Sequence, residues 1–155
     1  PLKLVTKKIN EKIISNKISL ISDFYEKNFK LRPQIAILGL NPHCESTDKF
    51  NEDDKILKPA IRYLSKLGYQ VSGPLPADTA FIKNNRKNFD VFLGMYHDQV
   101  LTPIKTIYEY DAINITIGLP FFRVTPDHGP NEMMVGKNKS NPISLIKAIS
   151  FLDKR

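Results

Sequence analysis

The sequence lacks the features that mark secreted and membrane-spanning proteins. Cys44 is the only cysteine among 155 residues, so an intrachain disulfide is impossible and a reducing, cytoplasmic location is expected. No apolar run approaches the roughly 18 residues that a membrane span needs, and no signal-like segment opens the chain. Because 41% of the residues are hydrophobic and 25% are charged, we expect a packed, soluble protein with no membrane partner.

Nucleotide- and nucleic-acid-binding signatures are also missing. Neither GxGxxG nor a Walker sequence occurs, so a dinucleotide would have to bind in a non-Rossmann mode. The net charge of +7 is spread over scattered lysines such as Lys7, Lys12 and Lys17. This scatter is typical of solvated helix faces and disfavours a basic module that binds nucleic acid, although a positive field would favour a phosphorylated substrate.

Hydrophobic periodicity predicts a single α/β unit over residues 1–155. Amphipathic spacing predicts helices at about Thr6–Phe29, Glu52–Leu67 and Pro142–Leu152. Gly68 is expected to end the second of these helices. Short apolar runs predict buried strands at Ile35–Leu40, Phe89–Met95 and Ala112–Ile117. The resulting order, αβαβ(β)α, predicts an α/β sandwich with ligands at the carboxyl ends of its strands.

Two histidines follow predicted buried strands. His43 and His97 are too far apart for a local metal motif, but their positions suit neighbouring strands. Neutral imidazoles bind zinc and similar divalent ions, while the alternative is a surface or structural role. Asp78 and Asp98 either accept a hydrogen bond from the second ring nitrogen of these histidines or cap loops through Asx turns.

Three further polar side chains are candidates for substrate binding. Lys105 and Arg123 are expected after strand ends in apolar surroundings, where a cation needs an anionic partner. Arg123 suits a phosphate and Lys105 suits acid/base work, unless both side chains merely extend to solvent at the rim. Asn114 is expected on a buried strand, where its amide would need partners.

Five sequence blocks resemble the successive motifs of the 4-hydroxythreonine-4-phosphate dehydrogenases in letters, order and spacing. They are residues 39–43 (GLNPH), 73–79 (GPLPADT), 95–99 (MYHDQ), 114–121 (NITIGLPF) and 127–129 (DHG). The resemblance covers nearly the whole chain. It implies an isocitrate/isopropylmalate dehydrogenase-like α/β sandwich, present here as the C-terminal portion of the family fold.

The resemblance also implies an activity. Members of this family oxidise 4-phosphohydroxy-L-threonine with NAD in pyridoxal phosphate biosynthesis, and the β-keto acid loses carbon dioxide to give 3-amino-2-oxopropyl phosphate. By resemblance we expect NAD or NADP, a divalent ion (zinc, magnesium or cobalt), and a homodimer that shares the metal site between subunits. A related decarboxylating dehydrogenase acting on another phosphorylated hydroxy acid is the alternative.

Specific residues inherit roles from this resemblance. His43 and His97 correspond to metal ligands. Lys105, Asn114 and Arg123 correspond to substrate contacts, and Asp78 lies beside the substrate, so that Asp78 and Lys105 are the catalytic candidates. The segment from His128 to Asn141 is similar to the nucleotide-binding loop, which makes His128, Gly129 and Asn141 cofactor candidates, although Pro130-Asn131 departs from the small residues usual there.

One element of the family pattern is not in the chain. The resemblance places a third histidine ligand two residues before Pro1, and the chain opens with Pro1 where a natural start would have methionine. We therefore expect the C-terminal part of a larger dehydrogenase. Since a catalytic zinc normally keeps three protein ligands, these 155 residues alone should show little or no activity.

Overall fold

The structure, a computed structural model, describes residues 1–130 and 132–153 and divides into two compact units. The first unit runs from Pro1 to Val100 and the second begins at Leu101. Two units thus stand where the sequence analysis expected one, and each is described by itself. That the chain is part of a larger dehydrogenase stays a prediction.

The helices and strands alternate along the first unit. Its helices are α1 (Val5–Lys8), α2 (Glu11–Phe29), α3 (Lys58–Lys66, preceded by a π-helical turn at Asp53–Leu57), α4 (Ala77–Ala80), α5 (Lys83–Arg86) and α6 (His97–Tyr108), which continues into the second unit. Its strands are β1 (Ile35–Leu38), β2 (Val71–Leu75) and β3 (Val91–Leu93). The second unit adds β4 (Ile113–Thr116), β5 (Arg123–Pro126) and α7 (Ile143–Asp153).

A parallel sheet of order β2-β1-β3 forms the centre of the first unit. All four residues of the central strand β1 are buried, as its continuous apolar run predicted. Because the strands are parallel, their carboxyl ends meet at one edge, where the segments with His43, Asp78 and His97 begin. The predicted α/β class with a parallel sheet is confirmed.

The core lies between this sheet and the helices α2 and α3. It contains Ile14 and Ile18 from α2, Ile61 and Leu64 from α3, and Ile35 and Ile37 from β1. The predicted helix Thr6–Phe29 is interrupted because Ile9 is extended, and Asn10 caps α2 by accepting a 2.9 Å hydrogen bond from the Ile13 amide. Gly68 closes α3 at positive φ, as predicted.

The second unit is an antiparallel pair, β4 and β5, against which α7 packs. The buried Ser144 hydroxyl links these elements, since it donates to the Ala112 carbonyl and accepts from the Asp127 amide at 2.9 Å. The prediction of a buried strand was wrong here, because Asn114 is exposed on β4. Lys105 lies within α6 rather than after a strand, and Arg123 begins β5, which the periodicity did not predict.

Across the described ranges, we find no helix that combines the length and apolar character required to cross a membrane.

We predict that Ile18→Ala lowers the free energy of unfolding by about 2–5 kcal/mol, because the fully buried side chain leaves a cavity. Ile13→Ala on the same helix is the control, and its effect should stay under about 1 kcal/mol because Ile13 is 44% exposed. Urea unfolding followed by circular dichroism measures both variants. Equal losses for the two would contradict the core described above.

Candidate functional site

A pocket of about 230 Å³ lies at the carboxyl edge of the parallel sheet. Its walls come from residues 40–43 after β1, residues 77–78 after β2, Tyr96 just before α6 and Gln99 in the first turn of α6. The pocket therefore brings together the candidates His43 and Asp78, which follow the neighbouring strands β1 and β2. It lies entirely within the first unit.

The backbone that carries His43 is unusual. In the short 3₁₀ turn Pro42–Cys44, His43 and Cys44 both have positive φ, at 55° and 61°. This left-handed region is uncommon for residues other than glycine and costs roughly 1–2 kcal/mol per residue. Neighbouring contacts must therefore hold the turn in place.

Asp53 supplies those contacts. Its side chain is fully buried, and its carboxylate accepts hydrogen bonds from the Leu40 amide (2.8 Å), the Asn41 amide (3.0 Å) and the Asn41 side-chain amide (2.9 Å). A buried carboxylate is tolerated only when donors surround it in this way. Asp53 thus fixes the segment between β1 and His43.

Asp53 was not among the residues predicted from the sequence, although a signal for it exists. Asp53 lies four residues before Leu57, seven before Ala60 and eleven before Leu64, which places it on the buried stripe of this helix. An acidic residue on an apolar stripe indicates a buried carboxylate that needs donors.

Gly39 allows the close packing around Asp53. A Cβ atom built on Gly39 would lie 2.6 Å from Cys44 Sγ and 3.0 Å from Asp53 Oδ1, so any larger residue would displace this segment. Cys44 is buried beside it. Burial raises the pKa of the Cys44 thiol, and the Asp53 carboxylate raises it further, so the thiol is held in its neutral form.

Gln99 connects the ends of β1 and β3. Its Oε1 accepts a hydrogen bond from the Met95 amide at 2.7 Å, and its Nε2 donates to the Gly39 carbonyl at 2.6 Å. The side chain is 7% exposed. No role was predicted for Gln99, because spacing along the sequence does not reveal which distant backbone groups a glutamine side chain will reach.

His97 begins α6 and is largely exposed. Its Nδ1 lies 2.6 Å from Asp98 Oδ1, and the side chains are 78% and 79% exposed. A carboxylate on one ring nitrogen of a histidine leaves Nε2 for a metal, which is a common arrangement around ligating imidazoles. This contact has the form that the sequence analysis expected for Asp98.

The donor types fit a divalent ion, but the ligand set is incomplete. Imidazole and carboxylate groups such as His43, Asp78 and His97 suit zinc and related ions. Within residues 1–130 and 132–153, however, no three His, Cys, Asp or Glu side chains converge closely enough to hold one. The two histidines therefore remain predicted ligands that would need a further partner.

In the second unit, two predicted substrate contacts share one face of the β4–β5 pair. Arg123 lies opposite Thr116 in the register and donates from Nη1 to Thr116 Oγ1 at 2.9 Å. Asn114, two residues before Thr116, lies on the same face because side chains alternate along a strand. An amide and a guanidinium on one exposed face suit an anionic ligand.

Lys105 forms an ion pair with a motif residue that had no assigned role. Its Nζ lies 2.9 Å from Asp127 Oδ2, and the Asp127 side chain is only 16% exposed. Asp127 is anchored in turn by the bond from its amide to Ser144. Lys105 is therefore held by a partly buried carboxylate and does not extend freely to solvent.

The predicted cofactor residues make local contacts. His128 Nδ1 lies 3.0 Å from the Gly129 carbonyl, and Asn141 Oδ1 accepts a 3.0 Å bond from the Ile143 amide at the start of α7. The Asn141 contact is a helix-capping interaction. Asn131 lies outside the described residues. The cofactor role of His128, Gly129 and Asn141 stays a prediction.

Comparison with known proteins identifies relatives along the whole chain. Residues 1–152 match the family model described as pyridoxal phosphate biosynthetic protein PdxA. A 4-hydroxythreonine-4-phosphate dehydrogenase from a Sulfurihydrogenibium species is 43% identical over 153 residues, covering 97% of this chain and 47% of the relative. The chain thus spans about half the length of the curated relatives it matches.

Solved structures agree with this match. The 4-hydroxythreonine-4-phosphate dehydrogenase of Klebsiella pneumoniae superposes with a TM-score of 0.81 at 33% identity, covering 97% of this chain and 46% of that one. A terephthalate 1,2-cis-dihydrodioldehydrogenase from Burkholderia xenovorans LB400 superposes with a TM-score of 0.69 at 25% identity, covering 94% and 46%. The fold implied by the sequence resemblance, present here in part, is confirmed.

We predict that Asp53→Asn lowers the free energy of unfolding by about 1–3 kcal/mol, because the new amide turns a donor toward backbone N–H groups that need an acceptor. The adjacent Asp54→Asn is the matched control and should change stability little, since Asp54 is on the surface and pairs with Lys58. Urea unfolding compares the two. A larger loss for Asp54→Asn would refute the role given to Asp53.

Proposed function

The chain belongs to the pyridoxal phosphate biosynthetic protein PdxA family, and we propose that it carries part of the active site of a 4-hydroxythreonine-4-phosphate dehydrogenase. The proposed reaction is the NAD-linked, metal-dependent oxidation of 4-phosphohydroxy-L-threonine, followed by decarboxylation to 3-amino-2-oxopropyl phosphate. The observation that carries the proposal is the pocket at the carboxyl edge of the sheet, where residues from separate family motifs, His43 and Asp78, meet.

Part of the proposed chemistry would come from a bound divalent ion and NAD, and part would come from residues of this chain. A bound divalent ion would lower the pKa of the substrate hydroxyl and polarise the new carbonyl, while NAD would accept the hydride. His43 and His97 would hold the ion, and Asp78 would take the hydroxyl proton. Two carboxylates near the same pocket, Asp53 and Asp78, would add negative potential that favours a cation.

The residues of the second unit would bind and protonate the substrate. Arg123 and Asn114 share an exposed strand face and would grip the phosphorylated substrate, since a guanidinium donates two parallel hydrogen bonds to a phosphate. Lys105, held by Asp127, would supply a positioned ammonium group for proton transfer. His128, Gly129 and Asn141 are the proposed contacts of the nucleotide.

Other features are carried over from the family resemblance. We propose NAD or NADP as the oxidant, zinc, magnesium or cobalt as the ion, a cytoplasmic location, and a homodimer that shares the metal site. A polypeptide of only these 155 residues should have little or no activity, because its histidines supply two of the three ligands that the family pattern needs.

A related dehydrogenase with a different substrate is the second candidate. The superposition on a dehydrogenase named for a terephthalate dihydrodiol supports it, because this fold evidently serves hydroxylated substrates without a phosphate. The exposed Arg123 favours the phosphorylated substrate instead. Comparing turnover of 4-phosphohydroxy-L-threonine with that of unphosphorylated diols would separate the two candidates.

We predict that His43→Ala and His97→Ala each weaken divalent-metal binding at least about 100-fold, because even partners outside the ligand sphere typically contribute 10–100-fold. NAD reduction should fall in parallel. Calorimetric titration of the metal-free complete protein with zinc measures the affinity. Lys49→Ala, an exposed change on the segment that follows His43, serves as the control. Wild-type affinity in either histidine variant would exclude that histidine as a ligand.

We predict that Arg123→Lys raises KM for 4-phosphohydroxy-L-threonine by about 10–100-fold, because the compact ammonium loses the paired hydrogen bonds of the guanidinium. Steady-state kinetics of NAD reduction measures the change. Lys147→Ala removes another cation of this unit, one that pairs with Asp111 at 3.1 Å, and should leave KM unchanged. An unaltered KM in Arg123→Lys would argue against phosphate binding at this position.

A further inference from the structure

Gln99 extends the β1–β3 pairing beyond the point where the strands part. The parallel register runs from Ile35 opposite Val91 to Ile37 opposite Leu93. Two residues further on, Gly39 and Met95 occupy corresponding positions. Their carbonyl and amide groups bond to the two ends of the Gln99 side-chain amide, at 2.6 and 2.7 Å. One side chain thus replaces the next backbone link of the sheet.

The backbone of Gly39 is held on both sides, by strand β2 and by a side chain of α6. On one side its amide donates to the Leu75 carbonyl of β2 at 2.9 Å, and on the other its carbonyl accepts from Gln99. Gly94 leaves room for this arrangement, since a Cβ atom there would lie 2.6 Å from Val100 Cγ1 and 3.4 Å from Gln99 Oε1. The Gln99 side chain also lines the pocket that contains His43.

Position 99 requires a side chain that is long enough to reach both backbone groups and that carries one hydrogen-bond donor and one acceptor. Glutamine presents a carbonyl and an NH₂ on the same rigid plane, so it can serve an amide on one side and a carbonyl on the other. Because the site is buried, losing either partner would leave a backbone group unpaired. Of the common side chains, asparagine has the same groups but lacks one methylene.

The two bonded backbone groups lead directly to the two candidate ligands. Gly39 precedes His43 by four residues and Met95 precedes His97 by two. We propose that Gln99 is a positioning residue that fixes these two segments relative to each other, so that each imidazole is held where it can serve as a ligand in a divalent-cation site. The inference rests on the proposed function, which assigns His43 and His97 as ligands.

The test measures cobalt(II) binding to the complete protein encoded by the gene, after metal removal. Gln99→Met has similar length but neither hydrogen-bonding group, and we expect cobalt affinity about 10–100-fold weaker, as for other partners outside a ligand sphere. The visible absorption of bound cobalt should also change, because it reports ligand geometry. Gln70→Met, a change at an exposed glutamine, is the matched control and should bind as wild type does.

A second variant, together with a check that each protein is folded, separates a loss of cobalt binding from simple misfolding. Gln99→Asn keeps the amide but is too short to reach both backbone groups, so its cobalt affinity should fall as well. Circular dichroism sets a temperature at which every variant is folded. If folded Gln99→Met and Gln99→Asn bind cobalt with wild-type affinity and spectrum, Gln99 is only structural and the inference is overturned.

The same titrations separate this inference from the proposed function. If wild-type protein binds no cobalt, or if His43→Ala and His97→Ala bind it normally, the ligand assignment is wrong and the positioning role fails with it. If the histidine variants lose cobalt while the Gln99 variants keep it, the proposed function stands and the inference about Gln99 alone fails.

Discussion

The edge of the parallel sheet depends on one buried charge, the Asp53 carboxylate. Water cannot solvate it, so it must be met by N–H groups, and the nearest donors belong to Leu40 and Asn41. Meeting that requirement fixes the course of the chain as it leaves β1. The left-handed turn at His43 and Cys44 follows within three residues, and the hydrogen bonds to Asp53 offset its backbone strain.

Both polar contacts that shape the pocket come from the beginnings of helices. Asp53 precedes α3 and Gln99 lies in the first turn of α6, so each side chain starts from a packed, regular element. Side chains anchored in this way hold a loop more accurately than loop residues hold one another. In the second unit, too, a side chain near the start of a helix holds a loop residue. Ser144, near the start of α7, bonds to the Asp127 amide, and Asp127 pairs with Lys105.

Periodicity predicted the parts of the fold that burial alone determines. The run at β1, which is apolar at every position, and the glycine that ends α3 were predicted correctly. In β4, polar residues alternate with isoleucines, a pattern that suits a strand with one exposed face in an antiparallel pair, and Asn114 is exposed there. Helix α6 was not predicted, because Pro103 lies within it and proline normally ends a helix. The contact of Gln99 with Gly39 was not predicted either, because the two residues are 60 positions apart and leave no local pattern in the sequence.

The segments that carry the two histidines differ in how firmly the structure holds them. His43 stands on a turn braced by a buried carboxylate, whereas His97 and its partner Asp98 are both almost fully in solvent. An ion pair so exposed contributes little to stability. Gln99 is what connects the exposed segment to the braced one. The backbone before His43 is therefore fixed by two buried side chains, Asp53 and Gln99, and Gln99 also ties the backbone before His97 to the end of β1.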